Sequence, residues 1–468
     1  MAEPNIFAYA MLLIWPLVAW MLYTRLDPAK ALIWTLLGGY LLLPPVAAID
    51  FPVVPDLRKE TIPNLMAMLL SVYLLRDRVP VMPEGMLGRV LIGLFVLSPF
   101  ATVLTNGDPL PIVNHDVPGM RIYDSVAAMA NQAIFLMPFF LGRRYLGTPQ
   151  AMQAMLAAFV AGGLAYSIPM LIEVRFSPQI NVWIYGFFQH DFFQTIRFGG
   201  YRPVVFLPHG LWVAFFALMA LLSAMIRFRD AGPDARPKQL LIVLYLGLML
   251  YLCKSAGPVI YAVVAAPLIL LAPRRVQLSV AAGLAVIVVM YPLLRGLHVI
   301  PVDRIVAAAE MVSPERAGSL AFRVANEEQL LARAAERPWF GWGGYGRNLI
   351  RDPVTGKELS IVDGEWAIQI GTYGWLGYIA EFGLLALPLI LMAREAVLQR
   401  GVVFSRVACG MALILAVSMV DLLPNATIVA ITWLMAGALM GYAEAVSRDR
   451  KAREALDRVT LRPERTVI

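Results

Sequence analysis

The chain has 468 residues, 59% of them apolar and 15% charged, with a mean hydropathy of +0.69. Soluble domains run at about 45–50% apolar and about 25% charged. The composition therefore excludes a soluble enzyme, a disordered chain and a disulfide scaffold. It predicts an all-α fold, a polytopic transmembrane helical bundle in a single integral membrane domain over 1–468. The net charge of +7 is compatible with nucleic acid, anionic lipid or membrane topology.

A helix crosses the hydrocarbon core in about 20 residues. Apolar runs at 6–24, 31–49, 62–75, 87–104, 124–142, 151–172, 207–226, 239–253, 257–272, 277–294, 366–392, 407–422 and 427–446 are candidate spans. Allowing for the shorter runs, this reads as about 12–13 spans. The runs are continuous rather than alternating, which excludes a closed barrel. Met1 to Asn5 lacks the basic stretch of a signal peptide, so the first run reads as a retained anchor. Cys253 and Cys409 lie in or at the end of apolar runs and read as small buried hydrophobes.

Orientation follows the basic loops. The tail 447–468 carries Arg448, Arg450, Lys451, Arg453, Arg458, Arg462 and Arg465, which places it in the cytoplasm. Strict alternation from there puts 23 of the 39 basic residues inside. The surplus of positive charge is thus a topology signal, and nucleic acid is not an expected partner.

Two segments on the outer side are too long and polar to be plain connectors: 173–206 and 295–365. In the second, Val324 to Glu336 places Leu330, Leu331, Ala334 and Ala335 on one helical stripe, and Pro338 follows. This large loop is expected to be partly helical and to cap the membrane. Gly341-Trp342-Gly343-Gly344-Tyr345-Gly346 is glycine-rich but follows no strand, and reads as a tight turn.

The sequence has no phosphate-binding loop, zinc-binding helix or nucleophile elbow. It does gather cations at the outer face. Arg197 and Arg202 precede the seventh span, Lys254 ends the eighth, and Arg323 sits in the large loop. Arginine suits phosphate through its planar fork, and lysine acts as a point charge. Each alone also reads as a snorkelling interfacial anchor. Asp363 and Glu365 stand where the large loop re-enters the membrane and are positioned to accept a proton. Glu381 falls well inside a span, where an ionisable group is costly. Of four histidines, His209 starts a span beside Arg202 and His190 lies in an aromatic stretch; His115 and His298 are also assigned outside.

These residues resemble the O-antigen ligase and O-antigen polymerase superfamily of bacterial membrane glycosyltransferases. Arg202 with Pro208-His209 is similar to the family's arginine–glycine–Pro-Asn stretch, with His209 where asparagine is usual. Cys253-Lys254-Ser255-Ala256-Gly257 resembles its Ser-Arg-Gly turn. Phe322-Arg323 through Gly341-Trp342-Gly343 resembles its arginine, amphipathic helix, proline and Gly-x-Gly run. Asp363-Gly364-Glu365-Trp366 followed by Gly374-Trp375-Leu376-Gly377 resembles its His-Asn segment leading into a Gly-x-x-Gly helix. The likeness covers roughly 195–390. Asp363 stands at the ligases' histidine, which points toward a polymerase-like or divergent member.

The resemblance implies a donor glycan on undecaprenyl diphosphate at the periplasmic face of the bacterial inner membrane, and a glycan or lipid-linked acceptor. It implies no cofactor and no metal. Other polysaccharide assembly proteins are expected partners, and the product would be a surface polysaccharide. Arg202, Lys254 and Arg323, with Arg197 in reserve, would hold the diphosphate. Asp363 would be the catalytic base, with Glu365 second; His209 and Glu381 are secondary candidates. Two rival readings remain: a secondary transporter, suggested by Glu381, and a non-catalytic component of an envelope polysaccharide complex.

Overall fold

The computed structural model describes the chain except for residues 1–2, 52–53, 111–116, 198, 298, 300, 302–303, 305, 308–309, 312–313, 353, 361–362, 400 and 461–468. His115 and His298 fall outside the described residues. Among those described there are fifteen α-helices: α1 (Ile6–Arg25), α2 (Pro28–Leu42), α3 (Thr61–Leu69), α4 (Met86–Leu104), α5 (Ile122–Tyr145), α6 (Pro149–Phe176), α7 (Ile180–Tyr185), α8 (Gly210–Asp230), α9 (Arg236–Leu252), α10 (Ala256–Leu270), α11 (Arg274–Gly296), α12 (Pro314–Ala335), α13 (Glu365–Leu398), α14 (Arg406–Asp421) and α15 (Ala430–Thr460). Two short antiparallel hairpins complete it: β1 (Ala48–Phe51) with β2 (Val54–Arg58), and β3 (Ile196–Arg197) with β4 (Gly200–Tyr201).

Each of the thirteen apolar runs coincides with a helix, and α7 and α12 lie in the two long polar segments. Helix starts follow ordinary capping chemistry. Asn5, Asp27 and Thr148 accept hydrogen bonds from first-turn amides, and Pro28 and Pro149 occupy the first helical positions. Among the described residues, seven helices are long and apolar enough to cross a membrane: α1, α4, α5, α6, α8, α11 and α13. One expected span needs correction in length. The run at 31–49 is helical only to Leu42, because Pro44-Pro45 stops it and the chain turns into the β1–β2 hairpin. Helices α9, α10 and α14, with 17, 15 and 16 residues, are close to the short runs expected there. Conversely, α15 continues to Thr460, so most of the expected tail 447–468 is the end of a helix rather than a separate arm.

The main core is built from α2, α4, α5, α6, α8, α13, α14 and α15. Helices α5 and α15 approach closely because Gly437 and Gly441 form a G-x-x-x-G stripe. A Cβ on Gly437 would sit 2.1 Å from the Phe139 carbonyl oxygen, and one on Gly441 2.5 Å from that of Arg143. Small residues at such contacts let helix backbones meet where no hydrophobic force separates protein from lipid. On the rim, Leu13 and Leu17 of α1, Leu244 and Leu248 of α9, and Val263 and Val264 of α10 are exposed. Apolar faces of this size fit a lipid bilayer.

Charge divides the bundle into two ends. At one end, Arg143 pairs with Glu444 at 2.7 Å, Arg144 with Asp77 at 2.8 Å and Arg450 with Glu395 at 2.8 Å, while Arg448 pairs with Glu84. All of these come from loops and helix ends of one parity in the alternation. The other end carries the two long segments. There α12 packs on α13, which is broken at Gly374. The glycine-rich turn is laced across that break: the Trp342 and Gly343 amides donate to the Gly371 and Thr372 carbonyls at 2.8 and 2.9 Å. Gly341 and Gly374 both have positive φ, and a Cβ on either would collide with the other strand's backbone. The tight-turn reading of this stretch is the one observed.

Candidate functional site

A cavity of about 640 Å³ opens at the end of the bundle that carries the long segments. Arg197, Arg202, Lys254, Arg323 and Asp363 all line it, with His190, His209, Ser255, Tyr261 and Asn425. Four cations therefore face one carboxylate, and Asp363 is the single acidic residue among the lining groups.

Arg202 is placed by its backbone. Its amide donates to Thr195 at 2.8 Å at the end of the β3–β4 hairpin. The following residues are held by Glu173 of α6, whose carboxylate accepts from the amides of Ile180, Val204 and Val205 at 3.0, 2.7 and 2.8 Å. Val205 is held there at φ 51°. The Arg202 side chain is buried and donates to Ser255 Oγ at 2.5 Å, while its Nε has no partner among the described residues. Burial, reinforced by Arg197, pushes its guanidinium down to about 10. A buried arginine with a free N–H and no carboxylate beside it is an anion-binding group held ready.

Lys254 follows the end of α9 at φ 51°, an unfavourable conformation for a side-chain-bearing residue. Its ammonium reaches over the hairpin and donates to the Arg197 carbonyl at 2.9 Å. Glycine makes this possible: a Cβ on Gly200 would lie 2.4 Å from Lys254 Nζ, and one on Gly210 2.6 Å from Arg202 Nε.

His209 caps α8. Its Nδ1 accepts from the Leu211 amide at 3.1 Å, which leaves the ring proton on Nε2. Burial first, then the nearby Arg202, His190 and Arg197, push the imidazole down to about 3. His190 packs against it with ring centroids 4.4 Å apart, and its own Nδ1 accepts from the Asp191 amide at 2.7 Å. The His209 ring thus presents an Nε2–H donor rather than a base.

Arg323 of α12 and Asp363 meet at 3.2 Å, each 39% exposed. One turn along α12, Glu327 is mostly buried. Burial pushes its carboxyl up to about 7, against the opposing pull of Arg295 and Arg323.

Two expected residues are elsewhere. Glu365 does not line the cavity: it is 6% exposed and accepts from Gln369 Nε2 at 3.0 Å inside the bundle. Helix α13 begins at this residue, after the extended Gly364, so Glu365 belongs to the helix while Asp363 precedes it. Glu381 lies four turns deeper on the same helix, 1% exposed, with Oε1 unpartnered among the described residues. It too is apart from the cavity.

Sequence reading missed Glu327, Asn425 and Asp421. Asp421, buried at the end of α14, accepts from Asn425 Nδ2 at 2.9 Å and Thr427 Oγ1 at 2.7 Å, and hydrogen-bonds the cavity residue Tyr261. The break Asp421-Leu-Leu-Pro-Asn425 between two apolar runs was the available signal. Among the described residues no group of three His, Cys, Asp or Glu is arranged to hold a metal ion.

No protein-family model matches the chain, and no curated protein matches it.

Proposed function

We propose that the protein is a glycosyltransferase of the bacterial inner membrane that uses lipid-linked glycan diphosphate donors, as the resemblance to O-antigen polymerases and ligases implies, with the cavity on the periplasmic face. The observation that carries this is the convergence of Arg202, Lys254, Arg323 and Asp363, drawn from four separate stretches of chain, on one cavity at one end of an apolar bundle. Its lining charge of four cations to one carboxylate suits a diphosphate.

In this reading the acceptor hydroxyl attacks the anomeric carbon of the donor glycan. A new glycosidic C–O bond forms as the bond from that carbon to the diphosphate oxygen breaks. Asp363 takes the acceptor proton. Arg202, Lys254 and Arg197 stabilise the charge growing on the departing diphosphate. Arg323, paired with Asp363 at 3.2 Å, is placed to reach both the diphosphate and this carboxylate.

The test is a strain producing Arg202→Ala or Lys254→Ala variants at normal membrane abundance. Loss of polymer with accumulation of lipid-linked repeat units is expected. Full-length polymer from both variants would sink the reading. Loss of solute uptake instead would favour a transporter, the reading that the buried Glu381 supports.

A further inference from the structure

A second cavity, of about 620 Å³, lies beside the first on the long segment and takes in Gln329, Arg333, Glu336, Arg347 and Arg351 with apolar walls from Leu110, Leu349 and Ile350. It shares no lining residue with the first. Helix α12 stands between them. At 3.6 residues per turn, Gln329, Ala332 and Glu336 lie across the helix from Arg323, roughly 10–20 Å further along its axis.

The two cavities differ in charge. In the first, three of four cations have only neutral partners. In the second, every cation is matched: Arg333 with Glu336 at 2.7 Å, Arg351 with Glu358 at 2.7 Å, and Arg347 with Asp108 at 3.9 Å. Such a lining offers little net charge to an anion. It does offer directed hydrogen bonds of both senses. The Nε groups of Arg347 and Arg351 are buried donors with no partner among the described residues, and Glu336 and Gln329 supply acceptors. Arg347 is 1% exposed and is fixed by donating to the Pro118 and Asp108 carbonyls at 3.0 and 2.8 Å. Arg333 is held flat over Trp342, 3.4 Å from the ring centroid. Rigid, planar, charge-balanced donors and acceptors beside apolar walls suit a ligand rich in hydroxyls.

We infer that this second cavity binds an oligosaccharide stretch, the acceptor or growing glycan, one side of α12 holding the sugar chain while the other holds the diphosphate. The inference rests on the function proposed above and adds a second subsite to it. The separation along α12, roughly 10–20 Å, is on the scale of a short oligosaccharide.

Saturation-transfer NMR on the full-length chain in nanodiscs tests it, with neutral oligosaccharides cut from the producing cell's own surface polysaccharide as one probe and inorganic diphosphate as the other. The oligosaccharides should bind the wild type and Lys254→Ala alike, and diphosphate should not displace them. Gln329→Ala/Glu336→Ala, and separately Arg351→Ala, should weaken them about tenfold, the loss of one or two hydrogen bonds. Either variant alone carries the test if the other fails to fold. Displacement by diphosphate, unchanged affinity in the folded variants, or no oligosaccharide binding to the wild type would overturn the second subsite. If in that last case diphosphate still binds the wild type and not Lys254→Ala, the proposed function stands without it.

Discussion

Arg323 and Asp363, forty positions apart in sequence, meet at 3.2 Å on the wall of a cavity that Asp363 shares with three further cations. Both ends of the pair are 39% exposed, and a surface pair of this kind contributes about 1 kcal/mol or less to stability. The fold therefore does not need it. Asp363→Asn is expected to leave the melting temperature of the purified protein within a few degrees of wild type while reducing polymer formation by about 100-fold or more, the range for loss of a general base. Arg323→Lys keeps the charge and loses the fork, and should retain partial activity. An Asp363→Asn strain with normal polymer would remove the base from this residue.

Glu327 gives the same region a pH signature. Its carboxyl is raised from 4.5 to about 7, so the folded chain holds this proton over a range where the unfolded chain has released it. The folded state then binds more protons, and stability falls as pH rises. The contribution is full below about 4.5 and is lost as pH rises through about 7. Glu327→Gln fixes the neutral form. Melting temperatures measured across that window should fall for wild type relative to the variant, and parallel curves would refute the assignment.

His209 separates capping from acid–base chemistry. With the imidazole pushed down to about 3, it stays neutral near neutral pH and does not set the activity profile there. Asparagine can cap α8 through its side-chain oxygen, so His209→Asn should keep most of the activity and an unchanged pH profile. His209→Ala loses the cap at about 1 kcal/mol. A shifted profile in His209→Asn would mean that the ring does carry a proton in turnover.

The helices and the cation set were readable from sequence because each depends on local pattern. Apolar runs of near-span length are long signals, and Arg202, Lys254 and Arg323 stand out as charges beside them. Facing was not readable. Asp363 and Glu365 differ by two residues, yet Asp363 precedes the helix and lines the cavity, while Glu365 opens the helix and points into the bundle. Glu327 and Asp421 were invisible for another reason: their importance comes from partners on other elements, Arg295 for the first and Tyr261 for the second. Span length failed where Pro44-Pro45 ends a helix inside the apolar run 31–49.

Glu381 decides between the transferase and the transporter. It is buried in α13, away from the cavity, with Tyr378 and Tyr373 on the same helix within its electrostatic reach. A transporter that moves protons or cations through the bundle needs an ionisable group at that depth. A transferase that works at the end of the bundle needs only its volume and hydrogen bonding. Glu381→Gln preserves both and removes the ionisable carboxyl. Polymer yield in the Glu381→Gln strain is therefore expected to match wild type, in contrast to Asp363→Asn, when both proteins are present at equal membrane abundance. If Glu381→Gln abolishes function while Asp363→Asn does not, the chemistry lies inside the membrane and the cavity is not its seat.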